Sequence, residues 1–358
     1  MDSMSMDTDG THVPIIPGLP DEISLLCLAR VPRCHHIILS CVSKTWRALL
    51  GSQEFLQTRQ KYNWQETWVY ALCKDNSKWN TVLCVLEPHR LMRSWKLICI
   101  VPTPCPKRDG MAVETIGERL YLLGGCGLSE NATDDVYCYN TSIFHWERVA
   151  PMPMARCFFV SASLDNKLFV TSGLGLTDLS PNSWDVYDPS SNTWHSHKNP
   201  MLTSDIVKFI AFDGKLYTIH KTAWNNVRFA GVYHPSMQMW HGTKNEIARQ
   251  AVGPTAVVCG SLFSLEESCG GKKLMMWREE SNSWDTLARL SDQPAKPPCL
   301  LLGMDQSVYV VGKGFGSIVV SADKAINGAG MGVFACKSLC PRPDLMDLSI
   351  LSCHSVTI

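Results

Sequence analysis

The chain has 358 residues, its 33 Lys and Arg balance 33 Asp and Glu, and 45% of it is hydrophobic against 18% charged. That composition belongs to a globular chain and not to a disordered one, and zero net charge excludes bulk attraction to nucleic acid or an anionic membrane as the main partner interaction. No run approaches the length of continuous apolar sequence that a membrane-spanning helix needs.

The opening MDSMSMDTDG is acidic and polar, with no basic or apolar region of a secretory signal. Residues 1–15 are expected to be a disordered tail. Sixteen Cys are scattered along the chain, many inside apolar runs. Without a secretion signal they read as reduced thiols, which places the protein in the cytosol or nucleus. The sequons at Asn131 and Asn140 then carry no information.

Three helices are predicted next. Pro20, Asp21 and Glu22 suit a helix start, and Ile23, Leu26 and Ala29 keep helical spacing up to Pro32. A second helix spans His35 to Leu50, with Ile38, Val42, Trp46 and Leu49 on one face and Gly51 as its cap. A short third helix covers Gln53 to Lys61. So few residues make a poor core alone, so the segment is either a helical cap on the remainder of the chain or a docking module. The arrangement Leu19-Pro20, Val31-Pro32, Val42-Ser43-Lys44-Thr45-Trp46-Arg47 and Glu54-Phe55 resembles the F-box, with Ser43 where that family often has Cys. The resemblance assigns residues 16–62 to an F-box helical domain. It implies docking on a Skp-type adaptor that leads to a cullin–RING ubiquitin ligase. Leu19, Pro20, Ile23, Leu28, Val31, Pro32 and Trp46 are the positions carried over. Leu19, Pro20, Val31 and Pro32 are favoured as contacts, and Trp46 fits a core position equally well.

From residue 64 the period becomes strand-like. Similar apolar segments start at 120, 168, 216, 262 and 308 (LYLLGG, LFVTSG, LYTIHK, LFSLEE, VYVVGK). Each follows another apolar run across a turn, such as Asp165-Asn166 or Asp213-Gly214, which are hairpin signals. An acidic-aromatic segment comes next, and then a Trp. The aromatic-to-Trp spacing is constant in Tyr139/Trp146, Tyr187/Trp194, Tyr233/Trp240 and Trp277/Trp284. Each unit therefore reads as four short antiparallel strands, the unit from which a β-propeller is built.

The unit resembles the kelch repeat, most fully at Gly124-Gly125, Tyr139 and Trp146; in later units the glycine pair is lost while the aromatic spacing persists. The fold is expected to be mainly β: a six-bladed kelch-type propeller over residues 63–358 behind the small all-α F-box. The blades fall at about 65–105, 106–154, 155–203, 204–249, 250–297 and 298–358, although five or seven blades would also fit the spacing. Residues 64–104 lack room for a first strand, so the C-terminal LSILSCHSVTI is expected to pair into that blade and close the ring. The third and fourth strands of the last unit are not legible in its Gly-rich sequence.

Kelch propellers include a copper oxidase, which makes His195 and His197 candidates for metal binding, and Cys336 and Cys340 for zinc. Exposed strand residues and an incomplete ligand set are the competing readings and are preferred. GKGFG at 312–316 lacks the Lys-Ser/Thr ending of a phosphate loop. No cofactor, metal or catalytic site is assigned. The combined resemblance implies a non-catalytic substrate receptor of an SCF-type E3 ubiquitin ligase, with a kelch scaffold outside ubiquitin chemistry as the alternative. No nucleic acid or membrane partner is expected. The unknown protein substrate would meet loops between second and third strands, at Leu174 to Pro181, Ala223 to Arg228 and Glu267 to Lys272, with Leu174, Thr177, Trp224, Asn225, Arg228 and Lys272 as candidates.

Overall fold

The computed structural model describes residues 14–86, 95–99, 101–102, 105–128, 131–175, 183–203, 205–221, 228–243, 246–247, 251, 253–268, 271–322, 337–339 and 345–358. The chain divides into two compact units. One comprises the chain up to Glu66 with Ser142–Phe144 and Ile358; the other is Thr67–Thr141 and His145–Thr357.

The first unit is helical: α1 (Asp21–Ala29), a 3-10 turn (Arg33–His35), α2 (His36–Leu39), α3 (Lys44–Leu50) and α4 (Gln53–Lys61). Asp21 and Glu22 occupy the first turn of α1, where carboxylates favour the helix dipole. The single helix expected from His35 to Leu50 is in fact two. Ser43 is extended and its hydroxyl accepts the Trp46 N–H (3.0 Å), so it starts a new helix instead of continuing the old one. Arg47 Nε meanwhile donates to Ser40 O at the end of α2 (3.0 Å). The break turns Ile38 and Val42 out of the expected core face, and they are 67% and 59% exposed. The core of the unit is Leu28, Ala29, Leu50 and Phe55, with Trp46, Leu49, Ile15 and Ile16 packed against it. Ile15, expected within the disordered tail, is instead bound into the unit: its N–H donates to Asp21 (2.9 Å) and its O accepts the Trp46 indole N–H (2.7 Å), while residues 1–13 lie outside the described residues.

The second unit is a propeller of six four-stranded antiparallel sheets. The first complete blade is β4 (Ala112–Ile116), β5 (Arg119–Leu123), β6 (Val136–Asn140) and β7 (His145–Arg148). The second is β8 (Val160–Leu164), β9 (Lys167–Thr171), β10 (Ser183–Asp188) and β11 (Thr193–Lys198). The third is β12 (Ile206–Phe212), β13 (Lys215–Lys221), β14 (Arg228–His234) and β15 (Met239–Thr243). The fourth is β16 (Thr255–Val258), β17 (Ser261–Ser268), β18 (Gly271–Arg278) and β19 (Ser283–Leu290). The fifth is β20 (Leu300–Met304), β21 (Ser307–Val311), β22 (Ser317–Ser321) and β23 (Lys337–Leu339). The sixth joins the two ends of the chain. β1 (Thr67–Asp75), β2 (Asn80–Leu86) and β3 (Trp95–Cys99) take β24 (Leu348–Thr357) as their innermost strand. The C-terminal strand therefore closes the ring in the way its sequence suggests, and β22 and β23 supply the two strands that were illegible.

The hairpin turns carry the backbone their residues favour: Asp165, Asn166, Asp213, Gly214, Cys259, Gly260, Asp305 and Gln306 all have positive φ, as two-residue hairpin loops require. Second strands such as β5 and β9 are buried along nearly their whole length, because each is covered on both faces by neighbouring blades. The repeated aromatic and Trp are direct cross-strand partners. Tyr139 faces Trp146, Tyr187 faces Trp194, Tyr233 faces Trp240 and Trp277 faces Trp284. Their ring centroids lie 4.9, 5.0, 5.2 and 5.5 Å apart, within the range of attractive aromatic pairs. Tyr139→Ala should lower unfolding free energy by about 3–5 kcal/mol in chemical denaturation. A loss below about 1 kcal/mol would contradict the packing role of the pair.

Two blades carry a buried charge pair that the repeat pattern did not reveal. Arg108 pairs with Asp135 and Arg156 with Asp185, each at 2.7 Å. Gly124 of the glycine pair explains its own identity here: at φ 61° an added Cβ would lie 2.4 Å from Arg156 O. In the third blade the corresponding place is taken by His220, whose ring meets Thr218 Oγ1 (2.9 Å), Thr203 Oγ1 (3.1 Å) and Asp205 (3.4 Å).

Candidate functional site: exposed apolar surfaces

In the helical unit, a buried polar network fixes the turn that follows α1. Arg59 is enclosed, and its guanidinium donates to Ala29 O (2.7 Å), Val31 O (3.0 Å) and Trp64 O (2.5 Å) while pairing with Glu66 (3.3 Å). Glu66 also accepts the Arg33 N–H (3.0 Å). His36 Nε2 donates to Val31 O (3.0 Å). Val31-Pro32 is thus held rigidly by side chains from α2 and α4. Burial pushes the His36 pKa down to about 4, with the Val31 carbonyl opposing. An unfolded His titrates near 6.5, so between those values the unfolded chain binds the extra proton. The stability this group confers is complete above about pH 6.5 and is lost as pH falls towards 4, by about 3 kcal/mol. His36→Asn should flatten the pH dependence of helical-unit unfolding across that window; an unchanged pH profile would count against a buried neutral imidazole.

The carried-over positions separate by burial. Leu19, Pro20, Ile23 and Pro32 are exposed and Val31 is half-buried. Leu28 is core and cannot be a docking contact without unfolding; Trp46 is half-buried, with its indole hydrogen-bonded inside the unit. Ile37, Ile38 and Val42 are exposed as well, and sequence spacing placed the last two inside. The signal that could have found them is Ser43, a helix-capping residue in the middle of an apparently continuous helix. Five large apolar side chains, Leu19, Ile23, Ile37, Ile38 and Val42, thus face outward from one small helical segment.

In the propeller, the candidate loops fare unequally. Leu174 is 64% exposed. Thr177, Trp224 and Asn225 lie outside the described residues, and Arg228 begins β14. Lys272 is not a loop residue. β17 and β18 extend the hairpin to Ser268 and Gly271, and Lys272 is 2% exposed with its ammonium donating to Ala295 O. Glu267 likewise turns back to accept the Cys299 N–H (3.1 Å). Two residues that sequence reasoning missed join Leu174: Leu128 after β5 and Phe158 before β8, both well exposed. Loops that follow second and fourth strands leave the same edge of an antiparallel blade, so Leu128, Phe158 and Leu174 emerge on one propeller face. Paired backbone bonds between Cys157 and Leu174 (3.1 and 2.8 Å) and from Phe158 N to Gly110 O (2.8 Å) hold Leu174 and Phe158. On another strand, His195 and His197 stand exposed on β11, with His197 stacked on Trp184 (4.7 Å).

A helical unit with outward apolar residues is followed in the chain by a six-bladed propeller with exposed apolar residues on one loop face. Comparison with known proteins gives it a family. The F-box domain model matches residues 16–58 and the Kelch motif model residues 107–153. The Arabidopsis thaliana F-box/kelch-repeat protein SKIP4 is 35% identical over 97% of this chain and 96% of its own length. The putative F-box/kelch-repeat protein At1g27420 of the same organism is 27% identical over 79% of the chain and 82% of its own. The chain belongs to the F-box/kelch-repeat family of plant type.

Proposed function

We propose that the protein is the substrate-recognition subunit of an SCF-type E3 ubiquitin ligase: its F-box binds a Skp-type adaptor, and its propeller holds a protein target. The observation that carries this reading is the outward apolar set Leu19, Ile23, Ile37, Ile38 and Val42 on a unit whose own core is only a few side chains. Such a surface is stabilised when a partner covers it, and Pro20 and Pro32 extend it with rigid, exposed backbone. The propeller face bearing Leu128, Phe158 and Leu174 is the natural place for the target, since loops vary without disturbing the blades.

The mechanism is proximity. One module is tethered through adaptor and cullin, the other holds the target, and target lysines experience a raised effective concentration of charged ubiquitin. The chain forms no covalent ubiquitin intermediate and acts without catalysis of its own, in the cytosol, the nucleus or both.

Tagged full-length protein recovered from a plant-cell extract should bring down the adaptor and a cullin, and Leu19→Ala/Pro20→Ala should lose both while remaining folded. Recovery of a target by the wild type with no adaptor would instead support a kelch scaffold without a ligase role.

A further inference from the structure

The innermost strands of the six blades, β4, β8, β12, β16, β20 and β24, surround a cavity of about 360 Å³. Its wall is chemically divided. Glu114 and Thr115 of β4, Ser161 and Ser163 of β8, and His354 and Ser355 of β24 make one side polar. Ala211 of β12, Ala256 and Val257 of β16 and Leu301 of β20 give the other side apolar surface, interrupted by the Thr255 hydroxyl of β16.

Among the described residues, Glu114 is the one acidic side chain on this wall, and no Lys or Arg lines it. Ser161 Oγ donates to Glu114 Oε1 (2.7 Å) and Ser163 adds a second hydroxyl. The carboxyl is therefore oriented and hydrogen-bonded but has no counter-charge on the described wall. Burial pushes its pKa up to about 7, against the two serines. The ring of His354, also on this wall, is held neutral by burial, its pKa pushed down to about 4, so it supplies no positive charge either. Carboxylates elsewhere in the propeller interior have such a partner: Asp135 has Arg108 and Asp185 has Arg156.

The geometry points to a binding site for a small organic ammonium ion, its cationic head on Glu114 and its short apolar body along Ala211, Ala256 and Val257. A cation is what the carboxylate lacks, and its half-buried position on the cavity wall leaves it accessible to one. The facing wall carries the Thr255 hydroxyl but, among the described residues, no charged side chain. The cavity is large enough for an amine of about ten heavy atoms and too small for a folded segment of another protein. This inference does not depend on the ligase reading, because it concerns a site inside the propeller and leaves the F-box untouched.

Binding requires the carboxylate form, so affinity must rise with pH through the Glu114 titration. Phenethylamine and its neutral isostere 2-phenylethanol are suitable probes, measured by calorimetry on the full-length protein. The amine is expected to bind at least about tenfold more tightly than the alcohol near pH 8, and to lose about tenfold in affinity by pH 6 as Glu114 takes up its proton. The alcohol should show no such pH dependence. Glu114→Gln keeps the shape and should abolish both the selectivity and the pH dependence. Should that variant fold poorly, the wild-type pH dependence alone decides the matter. Equal affinity for amine and alcohol, amine binding that is flat in pH, or no amine binding at millimolar concentration would each overturn the proposal. Alcohol binding that strengthens at low pH would overturn it in favour of a neutral ligand on a protonated Glu114.

Discussion

Deleting residues 348–358 should leave a protein that aggregates, or whose melting temperature falls by on the order of 10 °C or more. Strand β24 pairs with β1 from Thr67↔Thr357 to Asp75↔Leu348. It is the innermost strand of its blade, and its residues Leu348 and Val356 are buried. Leu348 belongs to a core shared with Val69, Ala71 and Cys73 of β1 and with Phe315 beside the fifth blade. Removal exposes these apolar side chains and also the hydrogen-bonding edge of β1, which then becomes a template for pairing with other chains. Light scattering and thermal unfolding of the truncated protein check this. A monomeric product with wild-type melting would mean that the ring does not depend on its C-terminal strand.

The second large effect is expected at Asp185. The Arg156 and Asp185 side chains are both fully buried. Arg156 spends its donors on Asp185 (2.7 Å), Ser183 Oγ (3.1 Å) and Ser172 O (2.7 Å). It thereby ties the entry to β8 onto the ends of β9 and β10. Asp185→Ala leaves the guanidinium in place without its counter-charge and should destabilise the propeller by about 3–5 kcal/mol. Arg156→Met/Asp185→Leu removes both charges and should recover most of that loss, because no unpaired charge remains. Denaturant titrations of the two variants separate the outcomes. A loss under about 1 kcal/mol for Asp185→Ala would show that the pair contributes little.

The propeller was legible because its strongest signal is local. An aromatic and a Trp seven residues apart flank one hairpin, so a sequence period maps directly onto a cross-strand contact such as Tyr187 and Trp194. Ring closure was legible for the opposite reason: a unit with too few strands and a leftover C-terminal strand account for each other. The buried Arg–Asp pairs were not legible. Arg156 and Asp185 are 29 residues apart, and each looks like an ordinary surface charge until the blade brings them together.

The helical module misled in one specific way. Ile38, Val42, Trp46 and Leu49 satisfy helical spacing, but the spacing says nothing about a capped break between them. Ser43 ends the register, and two of the four residues move from core to surface. Lys272 failed as a loop candidate because the β17–β18 hairpin is longer than its sequence suggests. Leu128 and Phe158 were missed because an exposed apolar residue beside a turn has no periodicity to announce it.

Calorimetry with purified Skp-type adaptor and the intact protein bears most directly on the receptor reading. Wild type should bind, and Ile38→Asp, which alters an exposed side chain and no core contact, should weaken binding by about tenfold or more without shifting the melting temperature. No binding by the intact protein, or wild-type affinity in Ile38→Asp together with Leu19→Ala/Pro20→Ala, would contradict it.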